Sequence, residues 1–270
     1  LLESYYQESL SLFKLKGTYQ GDTRYNDTLP NYLSEAFKTK AKAFYTNYLN
    51  QVNTFDDISL TAEDLLSKKI LIWECEMSLK GMEFQKDLMP IDQMWGFQLS
   101  FGQLASGAGA QPFNTVQDYE NWLVRIEGYL DWLQSAQSNM QKGMKTGWVL
   151  PQALVKKVLP QLKGMTRVDL DKHLFYNPAR NFPISFTEED KTRLSAAYKT
   201  MVLDQIVPAY TVLHDFMANE YLAAARTSSG LDALEGGSAY YDYAIQYYTT
   251  TTLSADEIHQ LGLSEVARIG

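Results

Sequence analysis

The stretch of sequence that decides the fold class is TVQDYENWLVRIEGYLDWLQSAQSNMQKG, residues 115 to 143. Asn114 or Thr115 supplies a polar side chain for the N-terminal cap of a helix. The stretch predicts one long amphipathic helix that ends near Gly143. Its large apolar side chains recur at intervals of three and four residues, which places them on one helix face: Tyr119, Trp122, Leu123, Ile126, Tyr129, Leu130 and Leu133.

The same helical period extends over most of the chain on both sides of this helix. Hydroxyl side chains followed by acidic residues predict helix starts at Thr61, Thr187 and Ser254. Pro208 lies inside the pattern that starts at Thr187, and it predicts a kink because proline removes a backbone hydrogen bond. Predicted helices cover Leu33 to Val52, Thr61 to about Leu88, Pro151 to about Pro160, Thr187 to about Arg226, Tyr240 to Tyr248, and the segment that Ser254 opens.

Two stretches lack a sustained helical period and are predicted as long loops. Pro90 to Pro112 contains four glycines and leaves room for about one helical turn, and Gly164 to Pro183 carries Pro178 as well. Only Tyr247 to Leu253, rich in Thr and Tyr, is a candidate β-strand. The predicted fold class is all-α: long antiparallel helices with two long loops and at most a token β-ribbon, in a single domain over residues 1–270.

Composition and charge exclude several classes of protein. With 24 Lys and Arg against 32 Asp and Glu, the chain carries a formal charge of −8, which argues against a nucleic-acid partner. No run approaches the 18 or so apolar residues of a membrane-spanning helix. The chain opens at Leu1 without an initiator methionine and stops within an amphipathic pattern at Gly270, so we expect a piece of a longer polypeptide.

The sequence gives little indication of a metal site or of a catalytic nucleophile. The three histidines, His173, His214 and His259, are scattered, and no two of them have the spacing that places a pair of imidazoles on one helix face. Cys75 stands between Glu74 and Glu76, which oppose a reactive thiolate, so a buried, inert thiol is expected. We therefore expect no metal, no cofactor and no catalytic residue within this chain.

Tyrosines are the most distinctive side chains, with 18 in 270 residues. At helical spacing Tyr240, Tyr243, Tyr247 and Tyr248 share one face. Such a face combines apolar rings with hydroxyl groups, as peptide-binding and sugar-binding grooves do. Ordinary helix packing, with the hydroxyls reaching solvent, is the alternative that the pattern leaves open.

One family resemblance extends over nearly the whole chain. Its specific part comprises IVPAY at residues 206–210, Gly237 with Tyr240-Tyr241, TTT at 249–251 and LSADEIHQLGL at 253–263. Weaker matches are GD at 21–22 with RYND at 24–27, Arg125 with Tyr129-Leu130, and the turn from Gly147 to Pro151. These residues resemble the bacterial family of domain of unknown function 885, DUF885.

The resemblance implies properties that the residues of this chain do not carry by themselves. Members of the family are mostly helical, roughly twice as long as this chain, and similar to zinc metallopeptidases. Their metal motif, His-Glu-x-x-Pro-Gly-His, lies downstream of the part that matches residues 249–269, and no residue of this chain matches it. Many members carry an export signal or a lipoprotein anchor, which implies a periplasmic or envelope-anchored protein.

Two functions are therefore open. In the first, the chain is the non-catalytic N-terminal portion of an exported metallopeptidase-like protein and forms one wall of a peptide cleft, with zinc held by the other half. Tyr240 and Tyr241 are then the expected substrate-facing residues, because they belong to the specific part of the match. In the second, the chain is a self-sufficient helical binding or scaffold module with no enzymatic role. In both, this chain alone is expected to be inactive.

Overall fold

The computed structural model describes all residues, 1–270, and nearly every ordered element in it is a helix. We number the α-helices α1 (Leu2–Leu12), α2 (Lys14–Tyr19), α3 (Glu35–Val52), α4 (Ala62–Gly81), α5 (Phe97–Ala105), α6 (Val116–Thr146), α7 (Gln152–Met165), α8 (Asn177–Arg180), α9 (Glu188–Thr200), α10 (Val207–Phe216), α11 (Leu222–Ala224), α12 (Gly237–Thr249) and α13 (Ala255–Ile269). The all-α prediction is confirmed. The sole β-type pairing is an isolated bridge between Pro151 and Arg226.

The predicted strand from Tyr247 to Leu253 is wrong. Tyr247, Tyr248 and Thr249 complete the last turn of α12, and Thr250 ends the helix in the left-handed conformation, with φ of 56°. The threonine hydroxyls of this stretch form hydrogen bonds with nearby backbone and side-chain groups, and no β-ladder forms. Ser and Thr side chains often make such local bonds, which compete with the backbone hydrogen bonds of helices and sheets.

The chain forms two compact units. The first comprises residues 1–41 and 86–227, and the second comprises residues 42–85 and 228–270. The expectation of a single domain over residues 1–270 stays a prediction. None of the helices combines the length and the apolar character needed to cross a bilayer.

Helix α6 is the centre of the first unit, as its apolar stripe predicts. Thr115 and Asp118 form a reciprocal capping box at its start, and Gly147 ends it in the left-handed conformation, with φ of 81°. The predicted end near Gly143 is therefore one turn too early. Its stripe contributes Trp122, Ile126 and Tyr129 to the core, all with no exposed surface.

Helix α5 corrects the prediction that Pro90 to Pro112 holds at most about one helical turn. It is nine residues long and begins directly after Gly96. The Phe101 ring stacks on Tyr129 at 3.9 Å and on Trp122 at 4.9 Å between centroids. Burial of this aromatic cluster stabilises a helix that the glycines of the stretch disfavour by themselves.

The second predicted loop is only partly irregular. Between Gly164 and Pro183 the chain forms two 3₁₀ turns, Leu170–Lys172 and Leu174–Tyr176, and the short helix α8. Helix α7 also continues past Pro160 to Met165. Helices α1 and α2 precede the first predicted helix and were not predicted.

The segment that Thr187 opens remains helical past Pro208, as predicted, but its form is unusual. The Thr187 hydroxyl caps α9 by accepting a hydrogen bond from the Asp190 amide. Six residues, Met201–Ile206, are π-helical immediately before α10, and Met217–Tyr221 is π-helical after it. Proline has no N–H to donate, so Pro208 cannot continue the regular α-helical hydrogen bonds, which accounts for the π-helical turn just before it.

The second unit contains the part of α3 from Lys42, together with α4, α12 and α13. Thr61 caps α4 by accepting a hydrogen bond from the Asp64 amide, as predicted. Helix α4 ends at Gly81, not near Leu88, and the stretch 86–88 is a separate 3₁₀ turn in the first unit.

Candidate functional site

The candidate site is the tyrosine-rich helix α12, which packs on α4 within the second unit. The Tyr243 hydroxyl donates a hydrogen bond to the Met77 carbonyl oxygen at 3.1 Å, and the Tyr243 side chain is buried. A Cβ atom at Gly81 would overlap this hydroxyl and lie 2.8 Å from Tyr243 Cζ. Glycine at position 81 therefore allows the closest approach of the two helices.

The rings of Tyr240, Tyr243 and Tyr247 form a continuous row along α12, which we call the tyrosine row. Successive centroids are 6.2 Å and 6.0 Å apart. Residues of the α4 region extend it, because Phe84 lies 5.2 Å from Tyr240 and Trp73 stacks on Tyr247 at 5.9 Å. Three of the four tyrosines predicted to share a face therefore do so, and much of the area of that face is used in packing.

Tyr248 and Tyr241 differ from the row. The Tyr248 ring stands perpendicular to that of Tyr247 at 5.2 Å, and 82% of the residue is exposed. Tyr241 is 49% exposed. Consecutive helical residues point about 100° apart, so Tyr241 lies on a different side of α12 from Tyr240.

The two sequence-predicted site residues therefore have different surroundings. Tyr240 is half-buried, and its ring contacts Phe84 and Tyr243. Burial raises the pKa of the Tyr240 hydroxyl, and the neighbouring Tyr248 contributes to the rise. A phenol with a raised pKa remains a neutral hydrogen-bond donor at neutral pH. Of the pair, Tyr241 is the side chain more accessible to a ligand.

A glycine pair fixes where α12 begins. Gly236 takes the left-handed conformation, with φ of 70°, and serves as the N-terminal cap. A Cβ atom at Gly237 would lie 2.7 Å from the Leu231 carbonyl carbon. The preceding turn therefore packs directly against the first turn of the helix, which places Tyr240 and Tyr241 one turn beyond a tight backbone contact.

The segment from Thr249 to Leu253 forms a threonine elbow between α12 and α13. The Thr249 hydroxyl donates to the Ile245 carbonyl oxygen at 2.8 Å and lies 2.9 Å from the Thr251 hydroxyl. The Thr251 hydroxyl in turn accepts a hydrogen bond from the Leu253 amide at 3.4 Å. A β-branched residue in the left-handed region, as Thr250 is, is a genuine outlier, and these local bonds surround it.

The cysteine is placed as the sequence predicts. Cys75 is fully buried on α4. Burial raises the pKa of its thiol to about 11, and the carboxylates of Glu74 and Glu76 add to this effect. The thiol is therefore a poor nucleophile.

The histidines occupy three separate environments. His173 is buried, its Nδ1 accepts a hydrogen bond from the Phe175 amide, and burial lowers its pKa. His214 pairs with its neighbour Asp215 at 2.9 Å, and His259 is exposed on α13. No group of three or more His, Cys, Asp or Glu side chains in the chain is arranged to hold a metal ion.

Sequence analysis missed the role of one buried cation, Arg125, at the centre of the first unit. Its guanidinium donates to the Thr18 hydroxyl at 2.9 Å, to the Gln111 side-chain oxygen at 2.6 Å, and to the Tyr25 carbonyl oxygen. The Thr18 hydroxyl also donates to Asn26 Oδ1 at 2.7 Å. Burial lowers the Arg125 pKa to about 10.

This cluster joins two of the weak motifs quoted above. Tyr25 and Asn26 belong to the RYND motif, and Arg125 to the motif in α6. The structure thus gives both a packing role: the N-terminal segment folds over a buried arginine and satisfies its donors. Asn26 and Arg125 are polar residues far apart in the chain, and both belong to motifs of the same family resemblance. This was the signal that could have indicated that the two segments are in contact.

The sequence profile of the family described as "Bacterial protein of unknown function (DUF885)" matches residues 15–270. No curated protein is detectably similar in sequence. Among solved structures, the fold resembles the crystal structure of the "putative lipoprotein from Colwellia psychrerythraea", with a TM-score of 0.78 and 23% sequence identity. The match covers 98% of this chain and 48% of that one, so this chain spans about half the length of its structural neighbour.

Proposed function

Since the chain belongs to the DUF885 family, we propose that it is the non-catalytic N-terminal helical portion of an exported, metallopeptidase-like bacterial protein. In this proposal it forms one wall of a peptide cleft. In this proposal the catalytic residues and the zinc ligands belong to the other half. The lack of a cluster of three or more His, Cys, Asp or Glu side chains in this chain supports that division.

The observation that carries the proposal is the coverage of the structural neighbour. Nearly the whole of this chain superimposes on 48% of the Colwellia protein. This chain thus has the fold of about half of a larger protein, which supports the proposal that it provides a surface against which the other half of such a protein packs. The scattered histidines and the unreactive thiol of Cys75 also favour a non-catalytic role for this half.

Tyr241 and Tyr240 are the residues that we propose to face the peptide. An exposed phenol can donate a hydrogen bond to a substrate carbonyl oxygen or to an oxyanion, and its ring excludes water beside the bond. Tyr241 offers the more accessible hydroxyl. Tyr240 contributes a half-buried ring whose position Phe84 and Tyr243 fix.

We also propose an envelope location, either periplasmic or held by a lipid anchor. The structural neighbour bears the name of a lipoprotein, and the family resemblance supports export. Fractionation of the native bacterium, with immunodetection of the protein in the envelope fraction, tests this location. Recovery in the cytosolic fraction alone contradicts it.

Kinetics of Tyr→Phe variants test the function. Tyr241→Phe and Tyr240→Phe are introduced into the longest protein that the gene encodes, and peptide turnover and melting temperature are measured together. We expect Tyr241→Phe to lower kcat/KM about 10-fold or more, as expected for a lost transition-state hydrogen bond, with an unchanged melting temperature. Tyr248→Phe, an exposed tyrosine on the same helix, is the matched control and should retain activity. Unchanged turnover in both variants contradicts the assignment and favours the scaffold function.

A further inference from the structure

Helix α13 is a well-formed amphipathic helix with no buried residue. Leu261, Val266 and Ile269 are 53%, 72% and 75% exposed. At 100° per residue these three fall with Ile258 and Gly262 on one side of the helix, and the polar residues Asp256, Gln260 and Ser264 fall on the other. We call the apolar side the α13 stripe.

Local hydrogen bonds and an ion pair stabilise α13, more than packing of its apolar side does. Ser254 and Glu257 form a reciprocal capping box, and Arg268 pairs with Glu265 at 2.7 Å one turn from the end. Isolated helices of about 12–15 residues are marginal in water, and most helical stability in proteins comes from a buried apolar face. Ile258 is half-buried, whereas Leu261, Val266 and Ile269 are exposed. This 15-residue helix therefore lacks much of the principal source of its stability.

The composition of α13 argues against a membrane as the cover. Helices that lie in the bilayer interface are rich in Lys and Arg on their polar side. The polar side of α13 carries Asp256 and Glu257, and Glu265 lies within the stripe, whereas Arg268 is the only Lys or Arg of the helix. The net negative charge would be repelled by anionic lipid.

The area of the stripe argues against a second copy of the chain. A helix of this length is about 22 Å long and roughly 10 Å wide, so the stripe offers about 220 Å². Stable interfaces between separate molecules bury about 800 Å² on each partner. A tethered segment needs less area, because its effective concentration is high.

We infer that the α13 stripe docks a polypeptide segment equivalent to the half of the Colwellia protein that this chain does not cover. The inference rests on the proposed function in one respect, that the protein has a second half. The length of the structural neighbour supports this occupant, since 52% of it has no counterpart here. The segment carries a complementary apolar face that buries Leu261, Val266 and Ile269.

Thiol labelling tests the inference without any need for enzymatic activity. Val266→Cys and Leu261→Cys report on the stripe, and Gln260→Cys, on the exposed polar side of the same helix, is the matched control. Cys75 is the only native thiol and is buried with a raised pKa, so it adds little background. Labelling rates with N-ethylmaleimide are compared between the 270-residue chain and the longest protein that the gene encodes.

We expect all three introduced thiols to react within about 3-fold of one another in the 270-residue chain. In the longer protein the labelling of the two stripe thiols slows more than 10-fold, whereas the labelling of the control thiol is unaffected.

Equal labelling rates in both proteins, or a reading frame that stops at Gly270, overturn the inference. Slowing of the stripe thiols in the 270-residue chain as its concentration rises identifies a second copy, and slowing on phosphatidylglycerol vesicles identifies a membrane. Either result also overturns the inference. The labelling rates do not depend on peptide turnover in the tyrosine variants. The docking of the α13 stripe and the peptide-facing role of Tyr240 and Tyr241 can therefore fail separately.

Discussion

The Tyr243 hydroxyl occupies the space where a side chain at position 81 would begin. A Cβ atom on Gly81 would overlap that hydroxyl, which donates a hydrogen bond to the Met77 carbonyl oxygen. This contact joins α12 to the last turn of α4, which ends at Gly81. The position of the tyrosine row depends on it.

Gly81→Ala should therefore weaken the attachment of α12. The overlap costs about 1–3 kcal/mol, and the better helix propensity of alanine returns up to about 1 kcal/mol. We expect a net loss of about 1–2 kcal/mol in urea unfolding followed by circular dichroism, together with faster amide exchange in α12. Gly262→Ala, where the new Cβ meets no atom within 4 Å, is the control and should be neutral or stabilising. Equal effects of the two substitutions contradict the contact.

Arg125→Met should destabilise the first unit by about 3 kcal/mol, because it leaves three buried acceptors without their donor. Those acceptors are the Thr18 hydroxyl, the Gln111 side chain and the Tyr25 carbonyl oxygen. Arg24→Met, which removes an exposed pair with Asp22, should cost less than about 1 kcal/mol. Urea unfolding measures both variants. A cost for Arg125→Met no larger than that of the control would show that the buried cluster does not hold the N-terminal segment.

Cys75 should be unreactive in the folded protein. Its pKa of about 11 lowers the thiolate fraction near pH 8 about 100-fold relative to that of an unperturbed thiol with a pKa of 9.0, and burial blocks access further. We expect the reaction with Ellman's reagent to be more than ~100-fold slower than in guanidinium-unfolded protein. Rapid labelling under native conditions would contradict the buried position of this thiol.

Stability should fall as pH rises from 10 to 12. Burial raises the pKa of Tyr45, Tyr119, Tyr221 and Tyr243 to about 12, whereas unfolded tyrosine ionises near 10. The folded state therefore binds more protons in this window, and the free energy of unfolding decreases with pH.

Arg125 acts in the opposite direction, because its pKa of about 10 lies below the unfolded value and the unfolded state binds the extra proton. One arginine does not offset four tyrosines. Absorbance at 295 nm and circular dichroism, followed together during alkaline titration, should show a major phase of phenolate formation that coincides with unfolding. Complete ionisation with the helical signal intact would contradict this prediction.

Features that depend on local chemistry could be predicted from the sequence. The starts of α4, α9 and α13 follow from Thr61, Thr187 and Ser254, because a cap needs only residues within one turn. Helix α6 follows from its apolar period. Helical spacing also predicted a common face for Tyr240, Tyr243, Tyr247 and Tyr248. The first three form the row, and Tyr248 stands apart.

Features that depend on distant contacts could not be predicted in this way. Helix α5 is stabilised by stacking of Phe101 on Tyr129, and the last turn of α4 packs against Tyr243, far along the chain. Of the two adjacent tyrosines, Tyr240 contacts the Phe84 ring and Tyr241 is exposed. A single sequence does not reveal these partners.

We propose that this chain contributes a surface to a metallopeptidase-like protein and that the catalytic metal site lies in the rest of that protein. Elemental analysis and peptide hydrolysis, measured on the 270-residue chain and on the longest protein that the gene encodes, test it directly. We predict no stoichiometric zinc and no hydrolysis for the 270-residue chain, and one zinc with measurable hydrolysis for the longer protein. One tightly held zinc in the 270-residue chain that is lost on substitution of His173, His214 or His259, or a longer protein without zinc and without hydrolysis, would contradict the account.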